Sequence, residues 1–262
     1  MDLTYDQKRA MYEDGYLVLP GAIPDLLIQR ARKAIHHNIG SEGIDPDRLK
    51  SFASLSYCPS IQGDPALTDL ANHSAVHLAA EALLGAGNMQ PIGRAQIALR
   101  FPSYPDKPKP PRGHLDGIGN GLNGMEVGEF RRGFTMLAVC LLNDLPEPYR
   151  GNFTVWPGSH RFFEQFFRER DPSVLAQGMP REQLPREPVQ ITGKAGDVVL
   201  AHHHLVHGAA PNYGPEIRYA AIFRVQHVDV EANGVEAMSD IWREWDPIRA
   251  FIDEHVNEAT PA

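Results

Sequence analysis

The chain has 262 residues, 42% hydrophobic and 22% charged, which suits one large core and leaves no apolar run long enough to span a membrane. A formal net charge of −8 argues against a general nucleic-acid role, because neutralising phosphates needs a basic face. Only two cysteines occur, Cys58 and Cys140, and the opening MDLTYDQKRA lacks an apolar leader, so a cytoplasmic protein with reduced thiols is expected.

Thr4, with Gln7 three residues on, forms a capping box that opens a short helix, and Gly15 closes it. Tyr16 to Leu19 reads as a brief apolar strand ended by Pro20-Gly21. Pro24 starts a second helix, with Ile23, Leu27, Ala31, Ala34 and Ile35 at helical spacing. Residues 40–62 show no period and are expected to be loop. Asp64-Pro65 starts another helix, whose apolar face from Leu67 to Leu84 runs up to Gly85. His36, His37, His73 and His77 fall on these helices, where solvated or packed histidines are the ordinary case. From residue 90 the texture changes to short apolar runs divided by Pro, Gly and Asn. Strands are expected over 94–101, 134–142, 152–156, 188–192, 197–201 and 218–225, with helices around 160–170 and after 238. Phe162, Phe163, Phe166 and Phe167 recur at helical spacing and are expected to pack on the core. With no repeat or flexible linker, one domain over 1–262 is expected: helical bracing over 1–90, a β-core over 91–228 and a helical tail over 229–262.

The chemistry concentrates in two places. His114-Leu115-Asp116 follows a Pro-rich loop, and in an extended segment its first and third side chains share a face. Far downstream, GDVVLAHHHLVHGAAPN (196–212) carries His202, His203, His204 and His207 at the end of an apolar run, and Arg218 lies eleven residues beyond His207. Two imidazoles and one carboxylate, without a thiolate, are the ligand set of non-haem Fe(II) oxygenases. A buried arginine beyond the second histidine suits an acidic co-substrate, because guanidinium grips a carboxylate bidentately. The residues alone leave alternatives open. A second triplet, His227-Val228-Asp229, has the same form, and a solvated strand end accounts for the histidine cluster as well. The Gly/Asn-rich loop 117–133 suits a lid over the site, and its Arg131 and Arg132 are candidates to meet an acidic substrate, with two solvated charges the preferred reading.

Four motifs in order resemble the phytanoyl-CoA dioxygenase (PhyH-like) family of Fe(II)/2-oxoglutarate oxygenases. They are YEDGYLVLPGAI (12–23), His-x-Asp at 114–116, GNFTVWPGSHR (151–161) and the Gly-Asp strand ending at His207. The resemblance covers most of the chain and implies a double-stranded β-helix, a jelly-roll or cupin-like core, mainly β with flanking helices. It implies His114, Asp116 and His207 as iron ligands and Arg218 as the anchor of the far carboxylate of 2-oxoglutarate. It implies Gln96 and Thr135 as further co-substrate contacts. Read from the residues themselves, the Pro-Gly-Ser turn is a structural corner, and His160 is expected as a hydrogen-bonder within that turn rather than a fourth ligand. The expected cofactors are Fe(II), 2-oxoglutarate and O2, acting on an aliphatic C–H of a small molecule with release of succinate and CO2. Family halogenases carry Gly or Ala at the carboxylate position, so Asp116 implies hydroxylation. Two departures stand out: Ala209 where some members have a hydroxyl residue, and Val139 where some have Trp. The rival readings are a non-catalytic β-helix binder of metal or small molecule, and a cupin-like metal enzyme that does not use 2-oxoglutarate.

Overall fold

The computed structural model describes residues 2–104 and 109–257. The Gln7 amide donates to Thr4 Oγ1 at 3.2 Å and the Thr4 amide to Gln7 Oε1 at 2.9 Å, which opens α1 (Tyr5–Asp14). Gly15, at φ 81°, closes it as expected and turns the chain into β1 (Tyr16–Leu19). After Pro24 comes α2 (Asp25–Glu42). The segment expected as loop is largely helical: α2 reaches Glu42, a 3-10 turn (Pro46–Arg48) leads into α3 (Leu49–Ser54), and a second turn spans Pro59–Ile61. These pieces carry little hydrophobic periodicity because they are held by caps, such as Asp45 accepting from the Asp47 amide, and α3 buries only Phe52. The helix expected from Pro65 to Gly85 is two, α4 (Pro65–Asn72) and α5 (Ala75–Leu84). Ser74 breaks it, donating its hydroxyl to Leu70 O and accepting from the Val76 amide, while the apolar face continues across the break.

The β-core comprises β2 (Gln96–Arg100), β3 (Met136–Leu141), β4 (Phe153–Val155), β5 (Val189–Gln190), β6 (Val198–His202), β7 (His207–Ala209) and β8 (Arg218–Val225). Every run expected as strand forms one. β7, three residues of His-Gly-Ala, is too short and too polar to announce itself in the sequence. All pairings are antiparallel, in a five-stranded sheet of order β1-β6-β3-β8-β2 and a three-stranded sheet of order β5-β4-β7. A bridge between His114 and His207 adds one more rung beside β7. From β2 onward the chain therefore crosses repeatedly between the sheets, in the order large, small (at 114), large, small (β4 and β5), large, small, large. That is the winding of a double-stranded β-helix, with sheets that stay open at their edges.

The period-two register divides the large sheet. One face, including Leu17, Leu200, Ala138, Ala221, Phe223 and Ile97, packs against α1, α2, α4, α5 and the C-terminal α8 (Asp246–Ile252). The other turns toward the small sheet, where Leu137, Val139, Val199, Ala201 and Ala220 meet Phe153 and Val155. A third cluster gathers under α6 (Ser159–Glu169): Phe163 and Phe167 are buried with Leu115, Val206 and Met238, and Phe162 and Phe166 pack against them, as their spacing predicts. The tail holds a short helix, α7 (Val230–Asn233), before α8, and residues 258–262 of the expected tail lie outside the described residues. Both cysteines are buried and free. Among the described residues no helix is long and apolar enough to cross a membrane.

Candidate metal centre

His114 and Asp116 meet His207 because two backbones approach closely between the sheets. His114 and His207 exchange amide–carbonyl hydrogen bonds of 2.9 and 3.1 Å. Glycines flank both histidines on this rung. A Cβ on Gly208 would stand 2.2 Å from Arg112 O, and one on Gly113 would stand 2.5 Å from Val206 Cγ1. The Pro-Gly-Ser-His corner holds the approach from behind: Ser159 Oγ accepts from the Val206 amide at 2.8 Å, and the Trp156 amide donates to Val206 O at 2.9 Å. The residue before the distal histidine is thus pinned twice.

Among the described residues, one group of three or more His, Cys, Asp or Glu side chains could hold a metal ion, namely His114, Asp116 and His207, whose ligand atoms lie within 4.8 Å of one another. Asp116 Oδ1 stands 3.2 Å from His114 Nε2 and 3.9 Å from His207 Nε2. His207 Nδ1 pairs with Leu205 O at 2.9 Å, so the proton belongs there and Nε2 is left with its lone pair toward the cluster. Burial, helped by His114 and opposed by Asp116, pushes the His207 imidazole down to about 4, which keeps it a neutral donor. For Asp116, burial pushes upward, but the hydrogen bond from His114 and the charges of Arg224, His207 and His114 outweigh it, and the carboxyl sits well below the usual carboxylate range. Two imidazole nitrogens and one carboxylate oxygen converging on a point fit a divalent first-row metal with open positions. Arg224 also reaches the cluster, its Nη2 lying 3.3 Å from Asp116 Oδ2 and its Nη1 donating to Gln96 Oε1 at 2.8 Å.

Arg218 lies on the inner face of β8, 3% exposed. Its guanidinium donates to Gly151 O at 2.8 Å and Ala98 O at 3.0 Å, and no carboxylate among the described residues comes within ion-pair distance. Burial, with Arg100 nearby, pushes it well below the usual arginine value, so an anionic partner would relieve an unbalanced charge. Only two of its five donors are used by those carbonyls.

The other expected residues are placed differently. Gln96 accepts on its side-chain oxygen from the Arg224 guanidinium. Thr135, fully buried, donates its hydroxyl to Glu244 and accepts from the His227 amide, so it has no proton left for a co-substrate. His202, His203 and His204 are all buried rather than solvated. His202 pairs with Ile241 O, His203 with Thr135 O and the Arg132 Nε, and His204 with Met238 Sδ. His160 pairs with Tyr12 O at 3.0 Å, across 148 positions rather than within its own turn. His227 and Asp229 have no third ligand beside them among the described residues. Arg132, expected to be solvated, forms a buried pair with Glu244, and their side chains are 3% and 1% exposed. Loop 117–133 folds back on itself through the Ile118–Phe130 bridge. Its end, with Leu115, Phe134, His204 and Met238, lines a cavity beside Asp116.

Residues 126–220 match the family model described as Phytanoyl-CoA dioxygenase (PhyH), the family that the motifs resemble. That stretch includes His207 and Arg218 and begins after Asp116. No curated protein matches the chain. Among solved structures, the non-heme alpha ketoglutarate dependent carbocyclase SnoK from nogalamycin biosynthesis is 21% identical, with a TM-score of 0.58 over 86% of this chain and 84% of that one. HygX from Streptomyces hygroscopicus with nickel and 2-oxoglutarate bound is 18% identical, with a TM-score of 0.55 over 87% and 88%. EctD from S. alaskensis with 2-oxoglutarate and 5-hydroxyectoine is 19% identical, with a TM-score of 0.56 over 87% and 77%. These likenesses establish the fold.

Proposed function

We propose that the chain is an Fe(II)/2-oxoglutarate-dependent oxygenase that hydroxylates an aliphatic C–H of a small molecule. One observation carries the reading: His114, Asp116 and His207 converge within 4.8 Å, on a fold that solved structures show with nickel and 2-oxoglutarate bound, or with iron bound. His114 Nε2, His207 Nε2 and Asp116 Oδ1 would hold the metal, and Arg218, buried and without a carboxylate partner, would take the far carboxylate of 2-oxoglutarate. When bound, Fe(II) and 2-oxoglutarate supply the oxidising chemistry with O2, and the co-substrate leaves as succinate and CO2. The protein's part is to present a neutral His207, an ionised Asp116 and an apolar inner face, built by Leu137, Val139, Val199, Ala201 and Phe153, that excludes water. Ala209 and Val139 bring no hydrogen bond to the co-substrate, which leaves Arg218 as its principal anchor.

The structural relatives named above include a carbocyclase, and others an epimerase from nogalamycin biosynthesis and HygX bound to hygromycin B, so small-molecule substrates and several outcomes occur on this fold. Hydroxylation is the reading here, with Asp116 occupying the position through which family halogenases admit chloride. Anaerobic loading with Fe(II), then addition of 2-oxoglutarate and O2, is expected to release succinate even without substrate, and His114→Ala, Asp116→Ala and His207→Ala are expected to abolish it. A metal-loaded protein that binds 2-oxoglutarate and never forms succinate would make this a binder. One that binds metal but no 2-oxoglutarate would make it a metal enzyme of another kind. With substrate in hand, one oxygen atom from labelled O2 is expected in the product.

A further inference from the structure

We propose that Arg224, anchored by Gln96, is a positioning residue that keeps Asp116 a one-oxygen ligand of the metal. The inference rests on the metal reading above. The two oxygens of Asp116 face different partners: Oδ1 is turned to His114 Nε2 and His207 Nε2, at 3.2 and 3.9 Å, and Oδ2 to Arg224 Nη2 at 3.3 Å. Arg224 is itself held in place. Its Nη1 donates to Gln96 Oε1 at 2.8 Å, and its guanidinium carbon lies 5.7 Å from the centre of the Phe134 ring. It stands opposite Leu137 in the register, on the same face of β8 as Arg218 six residues earlier. Its side chain is 42% exposed against 15% for Asp116, which is the only carboxylate it pairs with among the described residues.

The chemistry gives this arrangement a purpose. Three protein donors leave three positions on an octahedral divalent ion, and a chelating 2-oxoglutarate fills two of them, which leaves one for O2. A carboxylate chelating through both oxygens would take that last position. A guanidinium on Oδ2 withholds the second oxygen by hydrogen bond and charge, as outer partners of metal ligands do elsewhere. Gln96 then acts on the arginine, and only through it on the metal.

The test counts water on the metal rather than turnover. With Mn(II) as the probe, water-proton relaxation reports the rapidly exchanging waters in the inner shell. Arg224→Met is expected to lower the inner-shell relaxivity of the Mn(II) protein by about a third. With saturating 2-oxoglutarate it is expected to fall to the baseline of a metal without water, whereas the wild type keeps one exchanging water. Arg224→Lys, which retains an N–H donor and the charge, is expected to recover most of the wild-type signal. Gln96→Leu leaves the arginine in place but unanchored; it is expected to give an intermediate value, and it decides the matter if Arg224→Met does not fold. Wild-type relaxivity in the folded Arg224→Met protein with 2-oxoglutarate, or in Gln96→Leu where only that variant folds, overturns the proposal while leaving the metal reading intact. A wild-type protein that binds neither Mn(II) nor 2-oxoglutarate removes the metal reading, and this proposal with it.

Discussion

His114 and His207, far apart in the chain, are joined by two backbone hydrogen bonds, from His114 N to His207 O at 2.9 Å and from His207 N to His114 O at 3.1 Å. The distance between the two imidazoles is therefore set by a rung of the small sheet, and the rung depends on Gly208. A Cβ there meets Arg112 O, a backbone atom that cannot swing away. Gly208→Ala is expected to keep the fold but weaken Fe(II) or Co(II) binding at least about tenfold, because the ligands are re-aimed. Gly133→Ala, which meets nothing within 4 Å, is the control and should bind metal like the wild type. Equal affinities in a metal titration of both variants would show that the rung does not set the site.

Arg132 and Glu244 make the second long-range link. The guanidinium forks onto both carboxylate oxygens, Thr135 and Asn233 also donate to Glu244, and Arg132 Nε donates to His203. Burial pushes the Glu244 carboxyl upward, but these donors outweigh it and hold it below its ordinary value. Removing one partner strands the other in the interior, at a cost of about 3–5 kcal/mol. Arg132→Met and Glu244→Gln are each expected to destabilise the protein by that order in urea unfolding, and the double variant by less than the sum of the two. Additive losses would show that the residues act independently.

Buried neutral histidines predict acid sensitivity. His202 donates from Nε2 to Ile241 O and accepts at Nδ1 from the His204 amide, so a second ring proton would face another donor. The Nδ1 of His160 is buried without a partner among the described residues. Burial, then the neighbouring His204 and Arg132 for His202, and His202, Arg161 and Arg186 for His160, push both well below the ordinary imidazole value. A base depressed in the folded state is protonated first in the unfolded state. Its contribution to stability is complete above about pH 6.5 and is lost as pH falls below it, by up to about 1.4 kcal/mol per pH unit for each histidine. Urea midpoints of the metal-free protein are expected to drop between pH 7.5 and pH 5.5, less steeply in His160→Gln. A flat profile would contradict the buried neutral assignment.

The strands were legible because each is an apolar run bounded by turn residues, and the meeting of His114, Asp116 and His207 because their motifs stand in family order. What escaped the sequence has no local signature. Arg132 and Glu244 meet across 112 positions. His202 and its neighbours look like a solvated strand end until Ile241, Trp242 and Trp245 of the C-terminal segment cover them. Thr135 was expected beside the co-substrate, yet its hydroxyl turns to Glu244. Arg224 had a signal that could have found it: it lies an even number of residues from Arg218 on one strand, so both must share the inner face.

Arg218 carries the most direct test of the co-substrate. Its guanidinium is 3% exposed, touches two carbonyls and no described carboxylate, and lies near Arg100, so the inner face holds a positive charge without a counter-ion of its own. Losing one partner of a buried, hydrogen-bonded charge pair costs about 2–5 kcal/mol. At about 1.4 kcal/mol per decade, Arg218→Ala is expected to weaken 2-oxoglutarate binding by more than tenfold. Arg218→Lys should recover only part, because a point charge cannot reproduce the two-pronged grip. Metal affinity should hold in both variants, since none of the three ligands touches Arg218. Titrating 2-oxoglutarate into the anaerobic Fe(II) protein while following the metal-to-ligand charge-transfer absorption reads the effect directly. Because Gly151 O and Ala98 O lose their donor, thermal melts run beside the titrations to show that the variant is folded. If folded Arg218→Ala takes up 2-oxoglutarate like the wild type, the arginine is a structural tie between two carbonyls and the co-substrate is held elsewhere.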